Sequence, residues 1–231
     1  MTYKVIKFEV NDLIKELQRI EAEYLSLEEV ERKKYYYNNL RGEFNKRYGD
    51  GTSNKNMSIK NAALMIALNK TCFNGLFRQN SKGKFNVPYG RYKNPRLVNE
   101  KNLLNVNLLL KNVEILSMSY ENLPYDVEKS SLIYFDPPYR PLSNSSNFTK
   151  YSKEDFNDDD QRQLAELFKK LDKKGHHLIL SNSDPTNTNK NDLFFDNLYQ
   201  GYFIKRVLAK RFINSDASKR KAINELLITN L

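Results

Sequence analysis

Cysteine is almost absent from this sequence, and tryptophan is absent altogether. The single thiol is Cys72, so no disulfide can form within the chain, and a zinc site built from cysteines would lack most of its sulfur ligands. No uncharged run is long enough to span a bilayer, and residues 1–17 carry Lys, Glu and Asp within their apolar pattern. We therefore expect no secretion signal, no membrane helix and a cytoplasmic location in a prokaryote or a phage-infected cell.

Negative charge is outnumbered by positive charge. The 231 residues include 38 Lys and Arg against 28 Asp and Glu, a formal net charge of +10. Such an excess favours a polyanionic partner through long-range attraction and counterion release. An anionic membrane surface is the competing partner, but the basic residues are scattered among Asn, Tyr and Phe instead of lying on one amphipathic helix. The composition therefore favours a nucleic acid over a membrane.

Apolar spacing outlines the expected elements. Helical periodicity predicts helices at residues 11–24, 27–44, 59–68 and 158–170. Short apolar runs predict strands at residues 113–117, 131–135, 177–180, 203–208 and 225–229. The first helix is expected to begin at a cap formed by Asn11 or Asp12, and residues 69–95 are expected to form a hairpin with loops. The strand, helix and strand in the second half indicate a parallel α/β sheet.

Asp136-Pro137-Pro138-Tyr139 follows a predicted strand, at the position where open α/β sheets bind ligands. The exocyclic amino group of a base is a poor nucleophile because its lone pair is delocalised into the ring. The Asp136 carboxylate and the Pro137 carbonyl, held by two successive prolines, can accept its two hydrogens and localise that pair for attack on a methyl sulfonium. Tyr139 can stack on a base rotated out of the duplex. The alternative is an ordinary strand-ending turn, in which Asp and Pro are common.

Five separated blocks accompany this motif. They are residues 71–92, 135–151, 181–184, 211–214 and 225–230. In this order they resemble the Dam family of adenine-specific DNA methyltransferases, which includes the modification enzymes of GATC restriction systems. The resemblance implies a Rossmann-like methyltransferase sheet, S-adenosylmethionine as the cofactor, double-stranded DNA as the partner, and methylation of a flipped adenine in a site that contains GATC.

The same resemblance implies that residues 71–92 read bases in the major groove. Phe73 is expected to wedge into the base stack, with Asn74 facing the space left by the flipped base. Arg78 is expected to read a guanine. The alternative makes Phe73 a core residue and Arg78 a phosphate contact. Leu76 and Pro88 are expected at a thymine methyl group, although Leu76 can equally belong to the core. Further DNA contacts, the basic ones at phosphates, are expected from Lys82, Lys84, Arg91 and Tyr92.

The polar loop at residues 140–151 has a family counterpart that closes over the flipped adenine. The resemblance therefore implies DNA contacts from Arg140, Ser143 and Asn147, whereas the alternative is a solvated linker. Arg211, Lys219 and Arg220 are further candidates for contacts with the DNA backbone. The alternative is a hydrated surface, which is what a run of charges commonly forms.

Two parts of the family pattern are missing. Family members carry a Phe-x-Gly-x-Gly turn after an early strand and then an acidic residue that holds the cofactor ribose, and the sequence contains neither. Where the family has Gly-Asp, this chain has Met118-Ser119, and Ser119 cannot supply the charge. The expected cofactor contacts are Asp136, Ser119 and Tyr120. We therefore expect an incomplete cofactor pocket, and a second polypeptide that adds the glycine-rich segment to the open sheet edge.

The expected fold is α/β, with an N-terminally incomplete Rossmann-like sheet and an inserted helical and β-hairpin DNA-recognition region. Residues 1–24 are assigned to the catalytic domain, residues 25–105 to recognition, and residues 106–231 to the methyltransferase domain. A non-catalytic DNA-binding protein derived from such an enzyme is one competing function, against which the intact four-residue motif argues. An RNA methyltransferase is another, against which a hairpin for the duplex major groove argues.

Overall fold

A computed structural model describes residues 1–47, 55–123, 131–142, 156–209 and 222–231. These residues fall into two compact units, residues 1–118 and residues 119–231. The first unit is helical, and the second contains a β-sheet. In the ranges that the structure describes, no helix combines the length and the apolar character needed to cross a membrane.

The helical unit is built around one long amphipathic helix, α1 (Thr2–Ser26). The other helices are α2 (Glu29–Tyr35), α3 (Gly42–Arg47), α4 (Lys55–Thr71) and α5 (Glu100–Leu110), with a π-helical segment at Tyr36–Arg41. The buried stripe of α1 includes Leu13, Leu17 and Tyr24, and the helix packs against α4 and α5. The helices predicted at residues 27–44 and 59–68 are confirmed.

The first helix is longer than the sequence indicated. It begins at Thr2 and is kinked at Glu9, whose φ of −137° and ψ of 33° are not helical. No helix begins at Asn11 or Asp12, so the prediction of a cap there is wrong. The buried apolar stripe continues upstream of the expected cap through Val5, Ile6 and Val10. Burying these side chains against the core outweighs the local capping preference of Asn and Asp, because most helical stability in proteins comes from tertiary packing.

Packing groups the chain differently from the predicted regions. Because α1 packs on α4 and α5, residues 1–24 lie in the same compact unit as the predicted recognition region. The structural boundary falls after Met118 and not after residue 105. Residues 113–117 pair with no described strand, so the strand predicted there is wrong. The division by function into catalytic and recognition regions stays a prediction.

The hairpin predicted between residues 69 and 95 is present. Single antiparallel bridges join Cys72 to Tyr89 and Gln79 to Phe85. The two arms approach closely at Gly90, where a Cβ atom would lie 2.6 Å from the carbonyl oxygen of Cys72. A side chain at this position would push the second arm away from the end of α4.

The second unit contains a four-stranded mixed sheet. Its strands are β1 (Leu132–Phe135), β2 (His177–Ser183), β3 (Phe203–Ala209) and β4 (Ile223–Thr229), in the order β1-β2-β4-β3. Strands β1 and β2 are parallel, and helix α6 (Asp158–Lys173) lies between them in the chain. Strand β4 is antiparallel to both β2 and β3. The predicted parallel strand, helix and strand are confirmed, within a sheet that is mixed as a whole.

The core of the sheet unit is rich in aromatic rings. Phe168 of α6 packs against Phe135 of β1 and against Tyr199, which follows the short helix α7 (Phe194–Leu198), with ring centroids 5.9 Å and 5.4 Å apart. Strand β1 forms one edge of the described sheet, and Leu132 and Tyr134 on it are 65% and 57% exposed. The incompleteness expected of a Rossmann-like sheet stays a prediction.

Candidate active site

The Asp136–Tyr139 motif follows directly from the end of β1. Strand β1 ends at Phe135, opposite Leu180, while the parallel strand β2 continues to Ser183, three residues beyond the predicted end of that strand. The end of β2 therefore runs beside the motif. Asp136 and Tyr139 are exposed, as expected of residues at the carboxyl end of a parallel pair.

One oxygen of the Asp136 carboxylate is held by a short hydrogen-bonded chain. The buried Ser181 hydroxyl donates to Asp136 Oδ1 at 3.2 Å, and the Tyr134 hydroxyl donates to Ser181 Oγ at 2.9 Å. Among the residues that the structure describes, Asp136 Oδ2 accepts no hydrogen bond. The carboxylate is therefore oriented through one oxygen and keeps the other as an acceptor.

The backbone after Asp136 is held by side chains, since two successive prolines offer no N–H to a strand ladder. Gln161 Nε2 donates to the Pro138 carbonyl at 3.1 Å, and Asn182 Nδ2 donates to Gln161 Oε1 at 3.2 Å. The Arg140 amide donates to Asn182 Oδ1 at 3.0 Å, and Ser183 Oγ donates to the Arg140 carbonyl at 2.6 Å. We call Gln161, Asn182 and Ser183 the polar clamp. All three are buried.

The Pro137 carbonyl is left outside the polar clamp. It accepts no hydrogen bond from any residue in the described part of the chain, whereas the Pro138 carbonyl is engaged by Gln161. Two acceptors without a partner among the described residues, Asp136 Oδ2 and the Pro137 oxygen, therefore occur on consecutive residues. At an exposed tip, such acceptors are available to a ligand.

Tyr139 supplies a neutral aromatic face at the same tip. Partial burial raises the pKa of its phenol above the ordinary value, an effect opposed by the nearby Ser181 hydroxyl and reinforced by the nearby Glu225 and Asp136 carboxylates. The ring is therefore uncharged at neutral pH. A neutral ring that is 38% exposed can accept a flat apolar partner on its face.

A cavity of about 320 Å³ adjoins the tip, and its lining includes Asp136, Pro137, Tyr120 and Phe156. It brings together two of the three predicted cofactor residues, Asp136 and Tyr120, while Ser119 is exposed and does not line it. The mostly apolar wall suits an aromatic base and a methyl sulfonium. Among the described lining residues only Asp136 is charged, so these residues fit S-adenosylmethionine in part only: they offer no further acid for the ribose hydroxyls and no cation for the carboxylate of its amino acid end.

Arg140 has carboxylate partners in this structure. Its Nε lies 2.7 Å from Asp158 Oδ1 and its Nη1 lies 2.8 Å from Asp192 Oδ2, while the guanidinium carbon lies 4.5 Å from the Phe194 ring centroid. These contacts tie the end of the motif to α6 and to the segment before α7. A DNA phosphate would have to compete with two carboxylates, so the predicted DNA contact of Arg140 stays a prediction.

Other predicted DNA contacts lie beyond the described residues. These are Ser143 and Asn147 of the polar loop, and the basic residues Arg211, Lys219 and Arg220.

The hairpin presents most of the predicted DNA contacts on its exposed side. The exposed members are Phe73, Asn74, Arg78, Lys82, Lys84, Pro88, Arg91 and Tyr92. Phe73 is 50% exposed, which contradicts the alternative that made it a core residue. Leu76 is partly buried and packs against the core, which agrees with the alternative that placed this residue in the core and not at a thymine methyl group.

Comparison of the sequence with known protein families agrees with these features. A profile described as D12 class N6 adenine-specific DNA methyltransferase matches residues 1–213. The chain belongs to this family. The resemblance predicted from the sequence is thereby confirmed at family level, and so is the predicted enzyme class, an adenine-specific DNA methyltransferase.

Relatives of this D12-class methyltransferase occur in archaea and bacteria. The Type II methyltransferase M.MjaIII of Methanocaldococcus jannaschii is 52% identical over 231 residues, which is 100% of this chain and 76% of that protein. The Type II methyltransferase M1.LlaDCHI of Lactococcus lactis subsp. cremoris is 37% identical over 210 residues, 90% of this chain and 70% of that protein. The DNA adenine methylase of Escherichia coli K12 is 31% identical over 225 residues, 97% and 73% respectively.

The residues that hold the tip of this D12-class enzyme were missed by sequence reasoning. Residues 181–184 were noted only as one block of the resemblance, without a role. Gln161 carried a usable signal, because it lies three and seven positions before Leu164 and Phe168 on the buried face of α6. A polar residue in a buried helical stripe requires a hydrogen-bonding partner, and here that partner is the motif backbone.

Proposed function

We propose that this D12-class methyltransferase transfers a methyl group from S-adenosylmethionine to the exocyclic amino group of an adenine flipped out of duplex DNA, at the tip formed by residues 136–139. One observation carries the proposal. Asp136 Oδ2 and the Pro137 oxygen lie on consecutive residues and accept no hydrogen bond from the described part of the chain, while the neighbouring polar groups of the tip are engaged by Ser181 and Gln161.

The two free acceptors match the two hydrogens of an amino group. By accepting both, the Asp136 carboxylate and the Pro137 carbonyl draw the nitrogen lone pair out of the ring, and Tyr139 supports the base face. When bound, S-adenosylmethionine supplies the methyl group as an electrophilic sulfonium. The amino nitrogen would form a bond to the methyl carbon as the bond from that carbon to sulfur breaks, which leaves a neutral thioether. The methylated nitrogen then loses one proton, for which the Asp136 carboxylate is the acceptor that this chain offers. The polar clamp reduces the reorganisation that this geometry requires.

Cofactor binding is proposed to need more than these 231 residues. Tyr120 and Asp136 would hold the end of the cofactor that meets the tip, with Ser119 beside them. A second polypeptide would supply the glycine-rich loop and the ribose-binding acid. Two observations support this proposal: the cavity lining formed by described residues carries no charge besides Asp136, and the described edge of the sheet at β1 exposes Leu132 and Tyr134.

The hairpin is proposed to read a site that contains GATC. Its exposed arginine, Arg78, can bond a guanine through two donors, and the exposed Pro88 can contact a thymine methyl group. Lys82, Lys84 and Arg91 add affinity that depends on salt and not on sequence. The exposure of these side chains supports this assignment.

A methylation assay tests these proposals separately. Transfer of labelled methyl from S-adenosylmethionine is measured on duplexes that contain GATC or the permuted GTAC, with the chain alone and with the polypeptide encoded beside it. We expect N6-methyladenine to form in the GATC duplex and not in the GTAC duplex, and only when the second polypeptide is present. The Asp136→Ala variant should form none.

Each departure from that result removes a different proposal. Full activity of the chain alone refutes the second polypeptide, and equal labelling of GTAC refutes the GATC site. Sequence-specific binding without methylation under either condition refutes the catalytic proposal and favours the non-catalytic DNA-binding alternative.

A further inference from the structure

The second arm of the hairpin is anchored to the helical unit along one face. Phe85, Val87 and Tyr89 are buried and alternate with more exposed residues, as a strand with two faces requires. The buried Tyr36 hydroxyl donates to the Val87 carbonyl at 2.8 Å, and the Tyr24 hydroxyl donates to the Tyr89 hydroxyl at 2.9 Å. The arm therefore has a fixed inner face and an outer face that carries Lys84, Asn86 and Pro88.

Asn45 of α3 pairs with this arm as a neighbouring strand would. Its Nδ2 donates to the Phe85 carbonyl at 3.0 Å, and its Oδ1 accepts from the Phe85 amide at 2.8 Å. A primary amide offers the same donor and acceptor as a peptide group, so one side chain satisfies both backbone groups of Phe85. The adjacent Phe44 ring packs edge-on against the Phe85 ring, with centroids 6.1 Å apart.

The two arms of the hairpin pair with each other at two separate places only, so a further anchor stabilises their alignment. The bridges, Cys72 to Tyr89 and Gln79 to Phe85, are isolated and form no continuous ladder. A slip of one residue would exchange the inner and outer faces of the arm, and a sparse ladder opposes such a slip weakly. At the bridge nearest the turn, the arms share two backbone hydrogen bonds, from Asn80 to Lys84 and from Asn86 to Arg78. Asn45 adds two more at Phe85 and so reinforces the register there from the helical core.

Anchoring Phe85 also places the arginine predicted to read a base. The next residue, Asn86, donates its amide to the Arg78 carbonyl at 3.0 Å, and Asn86 Oδ1 accepts from Arg78 Nε at 2.8 Å. The guanidinium is therefore oriented by the residue adjacent to the anchored one. Arg78 Nη2 also donates one hydrogen to the Asn86 carbonyl at 3.4 Å, and the Nη1 hydrogens with the second Nη2 hydrogen remain for two-pronged contact with a base.

We propose that Asn45 is a specificity-positioning residue: it holds the register of the reading arm so that Arg78 and Pro88 meet base edges in one fixed arrangement. The proposal rests on the proposed role of the hairpin in reading DNA. It assigns to Asn45 no contact with DNA: the role of this amide is to donate to the Phe85 carbonyl and to accept from the Phe85 amide.

The test compares Asn45→Asp and Asn45→Ala with a matched control, Asn38→Ala, which removes an exposed amide from the neighbouring π-helical segment. Each protein selects binders from a pool of duplexes with randomised positions, so no recognition site is assumed. Affinity for one random-sequence duplex is then measured against salt concentration, and thermal melting is recorded. Hydrogen exchange of the Phe85 amide reports the anchor itself.

We expect the Asn45 variants to lose about tenfold in base preference at the positions that the wild type reads. Their affinity for the random-sequence duplex and its salt dependence should stay close to those of the control, while the melting temperature should fall below that of the control because backbone groups of the buried Phe85 lose a partner. Asn45→Asp retains an acceptor for the Phe85 amide and loses the donor to its carbonyl, so it is the milder variant and remains informative if Asn45→Ala does not fold.

Unchanged base preference in the Asn45 variants overturns the proposal, and so does a loss of affinity that is equal for all sequences. A wild-type chain without any base preference would instead refute the reading role of the hairpin. In that case the exchange measurement still decides the anchoring: faster exchange of the Phe85 amide in Asn45→Ala, which leaves this amide without its acceptor, supports it, and unchanged exchange overturns it.

Discussion

The hairpin of the helical unit and the strand tip of the sheet unit are both exposed, but the protein holds them in different ways. Behind the hairpin lie apolar and aromatic side chains, with Phe85, Val87 and Tyr89 buried in the helical core. Behind the tip lie buried polar side chains, with Gln161 and Asn182 bonded to the motif backbone and to each other. The first is stabilised by burial of apolar surface, and the second by satisfied hydrogen bonds.

This difference follows from what each surface presents. The hairpin presents side chains, so its requirement is that the arm keeps one face outward, and burial of the alternate residues achieves that. The tip presents a carboxylate and a backbone carbonyl, which must lie at fixed positions, and hydrogen bonds are directional enough to place them. We therefore expect substitutions on the outer face of the hairpin to change DNA binding alone, and substitutions in the polar clamp to change both catalysis and folding.

Removal of the Asp136 carboxylate should separate catalysis at the tip from DNA binding at the hairpin most clearly. In Asp136→Ala, we expect turnover to fall by about 10²–10³-fold or more, because one of two acceptors for the amine is lost, while duplex affinity changes little. Single-turnover methyl transfer and fluorescence anisotropy measure the two quantities. The control is Asp159→Ala, which removes an exposed carboxylate on α6. A parallel loss of affinity and turnover would contradict the assigned role.

Truncation of Gln161 tests whether the polar clamp stabilises the tip. Gln161→Ala leaves the Pro138 carbonyl and Asn182 Nδ2 without their partner, so the free energy of unfolding should fall by about 1–3 kcal/mol, and turnover should fall more than duplex affinity. Denaturant titration followed by circular dichroism gives the stability. The matched control, Gln163→Ala, removes an exposed amide two residues along the same helix. Equal losses of stability and turnover in the two variants would contradict the stabilising role of the polar clamp.

The hairpin prediction concerns specificity and not stability. Arg78→Ala should cost about 1–3 kcal/mol of discrimination at one base position, because a two-pronged guanine contact is lost. Lys84→Ala should instead weaken binding to all duplexes equally and reduce the salt slope by about one. Affinities for duplexes that differ at single positions give both values. If Arg78→Ala behaves as Lys84→Ala does, Arg78 is a phosphate contact.

The smallest expected effect concerns Arg140, which was predicted at DNA and has two carboxylate partners in the structure. If its contacts with Asp158 and Asp192 are its main role, Arg140→Ala should lower the free energy of unfolding by about 1 kcal/mol and leave the salt slope of DNA binding unchanged. A stable variant whose salt slope falls by about one would establish a phosphate contact instead.

Local patterns predicted most of the elements correctly. The strands at residues 131–135, 203–208 and 225–229 and the helix at 158–170 were placed within a few residues, because their apolar spacing is local. The failures have non-local causes. The first helix begins at Thr2 because upstream residues are buried, and residues 113–117 form no strand because no described strand lies beside them.

The sequence by itself determined the chemistry of the tip, since an acid, two prolines and a phenol carry their properties within four consecutive residues. It also determined the family, through blocks that keep their order along the chain. Which acceptors of the tip stay free was decided only by the tertiary structure. That outcome depends on Gln161 and Ser181, which α6 and the parallel pairing of β1 with β2 bring to the motif from more than twenty residues away.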